Sequence, residues 1–137
     1  MNYYFSTKLP GEFAAVVQQA REALQAEGFG IVSEIDIQKT FADKIGVEFR
    51  PYLILGACNP TLAHEALRLE DKVGTMLPCN VVIQAVDDAI EVAAIDPVAS
   101  MQSIQNEQLK EKASAVAEKL RRVILSLGGR RGDETPR

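Results

Sequence analysis

The spacing of apolar residues along the chain predicts five strands and three long helical segments. Short alternating or wholly apolar runs of β-favouring residues predict the strands, and apolar residues three or four positions apart predict the helices. The predicted strands cover residues 3–8, 30–37, 52–58, 79–86 and 89–95. The predicted helices cover residues 13–27, 60–71 and 97–127, and the polar stretch 38–44 can add a helical turn.

Turn and capping residues support these boundaries. Asn59–Pro60 and Asp96–Pro97 each place an N-cap side chain before a proline that suits the first helical position. The tight turn Asp87–Asp88 predicts an antiparallel hairpin with residues 81, 83 and 85 on the same face as 90, 92 and 94. Apolar residues at 109, 113, 116, 120, 123 and 127 keep a four-three spacing, which is typical of a core stripe and less often of a coiled-coil seam.

These elements predict an α+β fold in the order β-α-β-β-(α)-β-β-α, with antiparallel neighbours wherever connections are short. We expect an antiparallel sheet with helices on one face, in a single domain over residues 1–127. The tail over residues 128–137 is rich in glycine and arginine and is expected to be disordered. The arrangement resembles the TATA-box-binding-protein-like and helix-grip folds, and a ferredoxin-like order is the alternative.

The outer face of this sheet is predicted to mix polar and apolar side chains. Its predicted members are Glu34, Asp36, Gln84 and Glu91, together with Val32, Val82, Val86 and Ile95. Such a mixture is too apolar for a plain solvent-facing surface and too polar for a core. It is typical of a subunit interface or a shallow ligand surface, so we expect a homodimer.

Composition narrows the possible partners and the compartment. The 137 residues are 47% hydrophobic and 25% charged, as in an ordinary globular domain. A net charge of -4 argues against nucleic-acid binding, which needs a basic surface. No apolar run approaches the length of a membrane span, and the first residues lack the pattern of a secretory signal. We therefore expect a cytoplasmic protein without a membrane partner, in which both cysteines are free thiols.

Two segments resemble the signatures of the family of domains of unknown function numbered 302. They are residues 53–60 (LILGACNP), with the helix residues 63–70 that follow, and residues 77–82 (LPCNVV). The closely matching part covers about residues 30–100. The resemblance implies a small α+β domain, mostly bacterial or archaeal, built on the sheet described above. It implies no particular function.

The strongest candidate for chemistry is Cys58, which lies one residue before the predicted N-cap Asn59. The positive end of a helix favours a thiolate and would make Cys58 reactive. The alternative is that Cys58 ends an apolar strand as a small buried hydrophobe. Cys79 opens the strand expected beside the one that Cys58 closes, so the two sulfurs are predicted to meet. A reversible dithiol or a two-thiolate metal site would then be possible.

The N-cap residue Asn59 and two residues of the intervening helix are further ligand candidates. His64 is the only histidine of the chain, but it lies on the polar side of the predicted helix. Glu70 falls within the apolar arc and is a candidate for proton chemistry, although near the helix end it can turn to solvent. Both are weaker candidates than the two cysteines.

The sequence leaves three functional hypotheses open. The first is a homodimeric module that binds a small ligand or metal on the open sheet face or at the Cys58/Cys79 corner. The second is a thiol-dependent redox or metal-handling protein in which Cys58 is the nucleophile and Cys79 resolves it. The third is a structural interaction domain with both cysteines in the core. No nucleophile elbow, phosphate-binding loop or dinucleotide fingerprint is present, so enzymatic activity and cofactor stay undetermined.

Overall fold

Five strands pair into an open sheet in the order β1-β5-β4-β3-β2, and every neighbouring pair is antiparallel. The computed structural model describes residues 2–128 of the chain. The strands span Tyr4–Leu9 (β1), Gly30–Asp36 (β2), Tyr52–Cys58 (β3), Cys79–Val86 (β4) and Ala89–Ile95 (β5). The predicted antiparallel α+β arrangement is confirmed. The ferredoxin-like alternative is wrong, because it requires a parallel pair and none occurs within residues 2–128.

Helices cover one face of this sheet and enclose the core. The helices span Phe13–Ala26 (α1), Ile37–Ile45 (α2), Pro60–Leu69 (α3), Pro97–Ser100 (α4) and Glu107–Leu127 (α5), and a 3₁₀ helix spans Asp71–Met76. Alternate strand residues such as Leu55 and Ile83 are fully buried against apolar residues of α1 and α5, among them Leu24 and Leu120. The apolar stripe of α5 therefore packs on the core, as predicted.

The β4–β5 hairpin has the predicted turn and the predicted register. Asp87 and Asp88 both adopt positive φ angles, 51° and 64°, which is the geometry of a type I′ turn. Val81 pairs with Ala94, Ile83 with Val92 and Ala85 with Ile90. The period-two pattern and the two-residue turn together leave only one register that buries the apolar face.

The last helical segment is divided, where the sequence predicted one continuous region. α4 ends at Ser100 and α5 begins at Glu107. Asn106 is the N-cap of α5, because its Oδ1 accepts a hydrogen bond from the backbone N–H of Leu109 at 3.0 Å. Its Nδ2 also donates to the carbonyl of Leu69 at 3.3 Å, which ties the start of α5 to the end of α3.

The predicted outer-face positions of Glu34 and Asp36 are wrong because β2 contains a bulge. The register shifts between Ile31 and Ser33, so Val32 is the extra residue. Beyond the bulge, Glu34 pairs with Leu55 and Asp36 with Leu53, which belong to the helix-covered face. Glu34 also accepts a hydrogen bond from Arg21 of α1. One inserted residue moves each side chain that follows it to the opposite face of the sheet.

The polar stretch after β2 forms more than the predicted helical turn. Asp36 caps α2 by accepting a hydrogen bond from the backbone N–H of Lys39 at 2.9 Å. Gly46 ends the helix in the left-handed region with a φ of 67°. No residue of α2 is buried, although apolar residues recur at every fourth position from Ile37 to Ile45. This spacing is the sequence signal for the full helix.

No helix within residues 2–128 combines the length and the apolar character needed to cross a membrane. The predicted disordered tail begins at residue 128, and its residues 129–137 lie outside the described part of the chain.

Gly56 provides a direct test of the packing of β3. A Cβ at this position would lie 2.7 Å from Cγ of Pro78 and would also collide with Oγ of Ser33. We expect Gly56→Ala to lower the free energy of unfolding by about 1–3 kcal/mol, because overpacking displaces both neighbours. Guanidinium unfolding measures the change.

Gly74→Ala is the matched control for that substitution. Its added Cβ would meet only Cδ2 of Leu67 at 3.7 Å, an ordinary contact, so we expect little loss of stability. Equal losses in the two variants would contradict the packing described for Gly56.

Candidate functional site

The two cysteines lie at one corner of the sheet, where β3 ends and β4 begins. The predicted antiparallel pairing of these strands is confirmed, and both cysteines are free thiols. Cys79 pairs with Ala57, whereas Cys58 pairs with Gly30 on the other side of β3. The two cysteines are therefore offset by one residue along the β3–β4 pair.

Cys79 is the less accessible of the two thiols. Its residue is only 6% exposed and packs within the main core. Burial, with a further contribution from the nearby Cys58, raises the pKa of the Cys79 thiol from 9.0 to about 11. Cys79 is therefore a neutral thiol at physiological pH and a poor nucleophile.

Cys58 is half-buried and directly precedes the N-cap of α3. The cap is Asn59, as predicted, because its Oδ1 accepts a hydrogen bond from the backbone N–H of Leu62 at 3.1 Å. Since this bond engages the side-chain oxygen of Asn59, the residue has a clear structural role at the start of the helix. Cys58 is left as the more accessible thiol at the corner.

The other two candidates do not join the cysteines. His64 is exposed on α3, and Glu70 is the half-buried C-cap of the same helix. Neither residue lines the cavity described below. Within residues 2–128, no group of three or more His, Cys, Asp and Glu side chains is gathered in a way that could hold a metal ion.

A narrow apolar cavity opens beside both cysteines. Its volume is about 40 Å³, far below the roughly 300–1,000 Å³ typical of pockets for drug-sized ligands. The end of β3, the start of β4 and helices α3, α4 and α5 form its walls. The lining residues include Ala57, Cys58, Leu62, Ala63, Cys79, Met101, Lys112 and Ala113. We call this space the corner cavity.

The corner cavity lies where two separate apolar clusters meet. The main cluster fills the space between the sheet and helices α1 and α5, and it includes Phe29, Ala57 and Cys79. The second cluster joins α3, the 3₁₀ helix, α4 and the first turns of α5. Its buried members are Ala66, Val73, Met101, Leu109 and Ala113. Residues of both clusters line the cavity, so it marks a boundary between two packed units.

An ion pair joins two of the helices beside the corner cavity. Nζ of Lys112 on α5 lies 2.8 Å from Oε1 of Glu65 on α3. The hydrogen bond from the Lys112 ammonium, together with its charge, lowers the pKa of the Glu65 carboxyl. The ion pair therefore stabilises the fold fully at pH values above 4.5, the ordinary pKa of a glutamate carboxyl. This stabilisation is lost as the pH falls through the lowered pKa of Glu65.

The face of the sheet away from α1 and α5 carries regular rows of side chains, and we call it the open face. One row is polar, because Nε of Arg50 donates to Oε1 of Gln84 at 2.8 Å and Nε2 of Gln84 donates to Oε1 of Glu91 at 3.0 Å. Lys8 of β1 lies opposite Glu91 of β5 in the strand register and so belongs to the same row. The neighbouring row is almost entirely apolar and consists of Ser6, Ala93, Val82, Ile54 and Ile35.

The corner cavity and its charged neighbours were not predicted from the sequence. Met101 and Leu109 were assigned to one long helix, and Lys112 and Glu65 are ordinary polar positions of amphipathic helices. The only available signal was Asn106, which is a strong N-cap residue directly before an apolar-periodic segment. It would have predicted the break that lets α4 and α5 surround the cavity.

The two thiols should react with iodoacetamide at very different rates at pH 7.5. Raising the pKa of Cys79 from 9.0 to about 11 lowers its thiolate fraction near neutral pH about a hundredfold, and burial also limits access. We expect Cys58 to be alkylated first, as mass spectrometry of the peptides would show. In guanidinium the two rates should converge. Equal rates in the folded protein would contradict the buried, neutral state of Cys79.

Comparison with known proteins identifies the family. The fold is similar to a crystal structure of an uncharacterised conserved DUF302 protein from Bacillus stearothermophilus, with a TM-score of 0.84. The two sequences are 23% identical, and the match covers 90% of this chain and 97% of that chain. No curated protein matches this chain. The family model for DUF302, a domain of unknown function, matches residues 5–127. The chain therefore belongs to the DUF302 family, as its two sequence signatures predicted.

Proposed function

We propose that this chain is a homodimeric module that binds a small, mostly apolar molecule in the corner cavity. The observation that carries the proposal is the position of the cavity between two apolar clusters. A molecule that enters there can bury its own apolar surface against both clusters.

The second cluster provides the means to enlarge the cavity. Ala66 is the only buried residue of α3, and Val73 is the only buried residue of the 3₁₀ helix. These segments therefore depend on few apolar contacts and have a low local cost of displacement. Met76 and Met101 belong to the same cluster, and unbranched methionine side chains adapt readily to a new neighbour. A space of about 40 Å³ can thus open around a larger guest.

A second candidate function uses the thiols. Both cysteines line the same cavity, which favours a thiol-dependent redox or metal-handling role. The raised pKa of Cys79 opposes a role as resolving nucleophile, so we give this candidate second place. The iodoacetamide experiment addresses it directly. A purely structural interaction domain is the conclusion if no apolar probe binds.

The open face supports the homodimer part of the proposal. Its apolar row offers a self-complementary strip to a second copy of the chain. The adjacent row carries Lys8 and Arg50 on either side of Glu91, so a two-fold arrangement can place opposite charges across the interface. We also propose a cytoplasmic location, because a reducing compartment preserves two free cysteines.

Binding of 1-alkanols from propanol to octanol tests the cavity. We expect the affinity, measured by methyl NMR titration, to rise by about 0.8 kcal/mol per added methylene until the cavity is full. Ala113→Leu should abolish binding by filling the cavity, whereas Leu62→Ala should extend the series to longer chains.

Ala115→Leu is the control for the filling variant. Ala115 is exposed on the same helix, so the same substitution there should leave binding unchanged. If no alkanol binds, or if Ala113→Leu binds as well as the original chain, the cavity is not the ligand site.

The dimer is tested by sedimentation at micromolar concentration. We expect a mass near twice 15.0 kDa, reduced to that of a monomer by Val82→Asp, which places a charge in the apolar row. Val98→Asp is the control, because Val98 is exposed on α4, away from the open face. A monomer of the unaltered chain, or equal dissociation by both variants, would contradict the proposed interface.

A further inference from the structure

Charge is distributed unevenly over the walls of the corner cavity, and this distribution affects which ligands can bind there. Among the described residues that line it, Lys112 is the only one with a charged side chain. The others are apolar residues, two thiols and the capping amide of Asn59. A guest in this cavity therefore meets apolar walls and a single cation.

The Lys112–Glu65 ion pair links the two sides that must separate when a guest enters. Lys112 belongs to α5 and Glu65 to α3, and their Nζ and Oε1 atoms are 2.8 Å apart. The two side chains are 35% and 38% exposed, so the pair is neither fully buried nor free in solvent. Movement of α3 away from α5 lengthens this bond and leaves the Lys112 ammonium without its carboxylate.

The chemistry of the guest decides whether that loss is offset. A guest carboxylate can accept the hydrogen bond that Glu65 gives up, and charge-assisted bonds of this kind are stronger than neutral ones. A neutral hydroxyl offsets the loss only in part. Because Lys112 lines the cavity and Glu65 does not, a guest ammonium would lie beside the cation and be repelled.

We propose that the corner cavity selects small amphiphilic anions, in which a short apolar chain or ring ends in a carboxylate that replaces Glu65 on Nζ of Lys112. This inference rests on the proposed function, since it assigns the ligand class of the same cavity. The carboxylate stays near the mouth beside Lys112, and the apolar part extends toward Ala57, Ala63 and Ala113.

Three probes of equal chain length test this selection at pH 7.5: hexanoate, 1-hexanol and hexylammonium. Hexanoate is ionised there, because carboxylic acids have pKa values of about 4 to 5. We expect hexanoate to bind about tenfold more tightly than 1-hexanol, and hexylammonium to bind most weakly. Dissociation constants come from calorimetry, and shifts of the alanine methyl signals locate the binding.

Two substitutions separate the roles of the pair. Lys112→Met should remove the preference for hexanoate while retaining binding of 1-hexanol, because the methionine keeps an apolar wall. Glu65→Gln should strengthen hexanoate binding about two- to fivefold by removing the competing carboxylate. Lys110→Met is the control, since Lys110 is exposed on the same helix and pairs with Glu107, outside the cavity.

The outcomes distinguish this inference from the function on which it rests. If 1-hexanol binds as tightly as hexanoate, or if the preference for hexanoate survives Lys112→Met, the anion selection is wrong while the apolar binding site stands. If none of the three probes binds, both the site and its selectivity are wrong.

Discussion

The antiparallel pairing of β3 with β4 is the interaction on which the rest of the structure depends. It places two apolar strands at the centre of the sheet, with Leu55, Val81 and Ile83 fully buried beneath the helices. The same pairing brings the start of β4 beside the end of β3, and α3 leaves the sheet directly from that end. The corner, its two thiols and the cavity all follow from this one register.

Packing around the corner divides the core into unequal parts. The main cluster joins four strands of the sheet to α1 and α5, whereas the second cluster joins three short helical elements to the first turns of α5. α5 belongs to both, and its first turns carry Leu109 and Ala113 into the second cluster. A layer of short elements with few buried side chains, packed against a larger core, is the arrangement in which local opening costs least. The proposed binding function uses that difference in local stability.

Local signals predicted the elements better than the site. The hairpin followed from period-two alternation and two turn aspartates, because its register depends only on residues close in sequence. The bulge at Val32 gave no such signal, since Ile31 and Val32 are both apolar and either can face the core. The corner cavity was not predictable, because it requires α3 and α5 to meet across more than forty residues. The ion pair between Lys112 and Glu65 likewise forms only because the two helices are in contact.

Intermolecular NOEs between bound 1-hexanol and methyl-labelled protein test the central claim most directly, because they locate an apolar guest without assuming where it binds. The corner cavity and the open face are built from different residues, so the two locations give different contacts. We expect NOEs to the methyl groups of Ala63, Met101 and Ala113. NOEs confined to Val82 and Ile54 would place the guest on the open face and contradict the account.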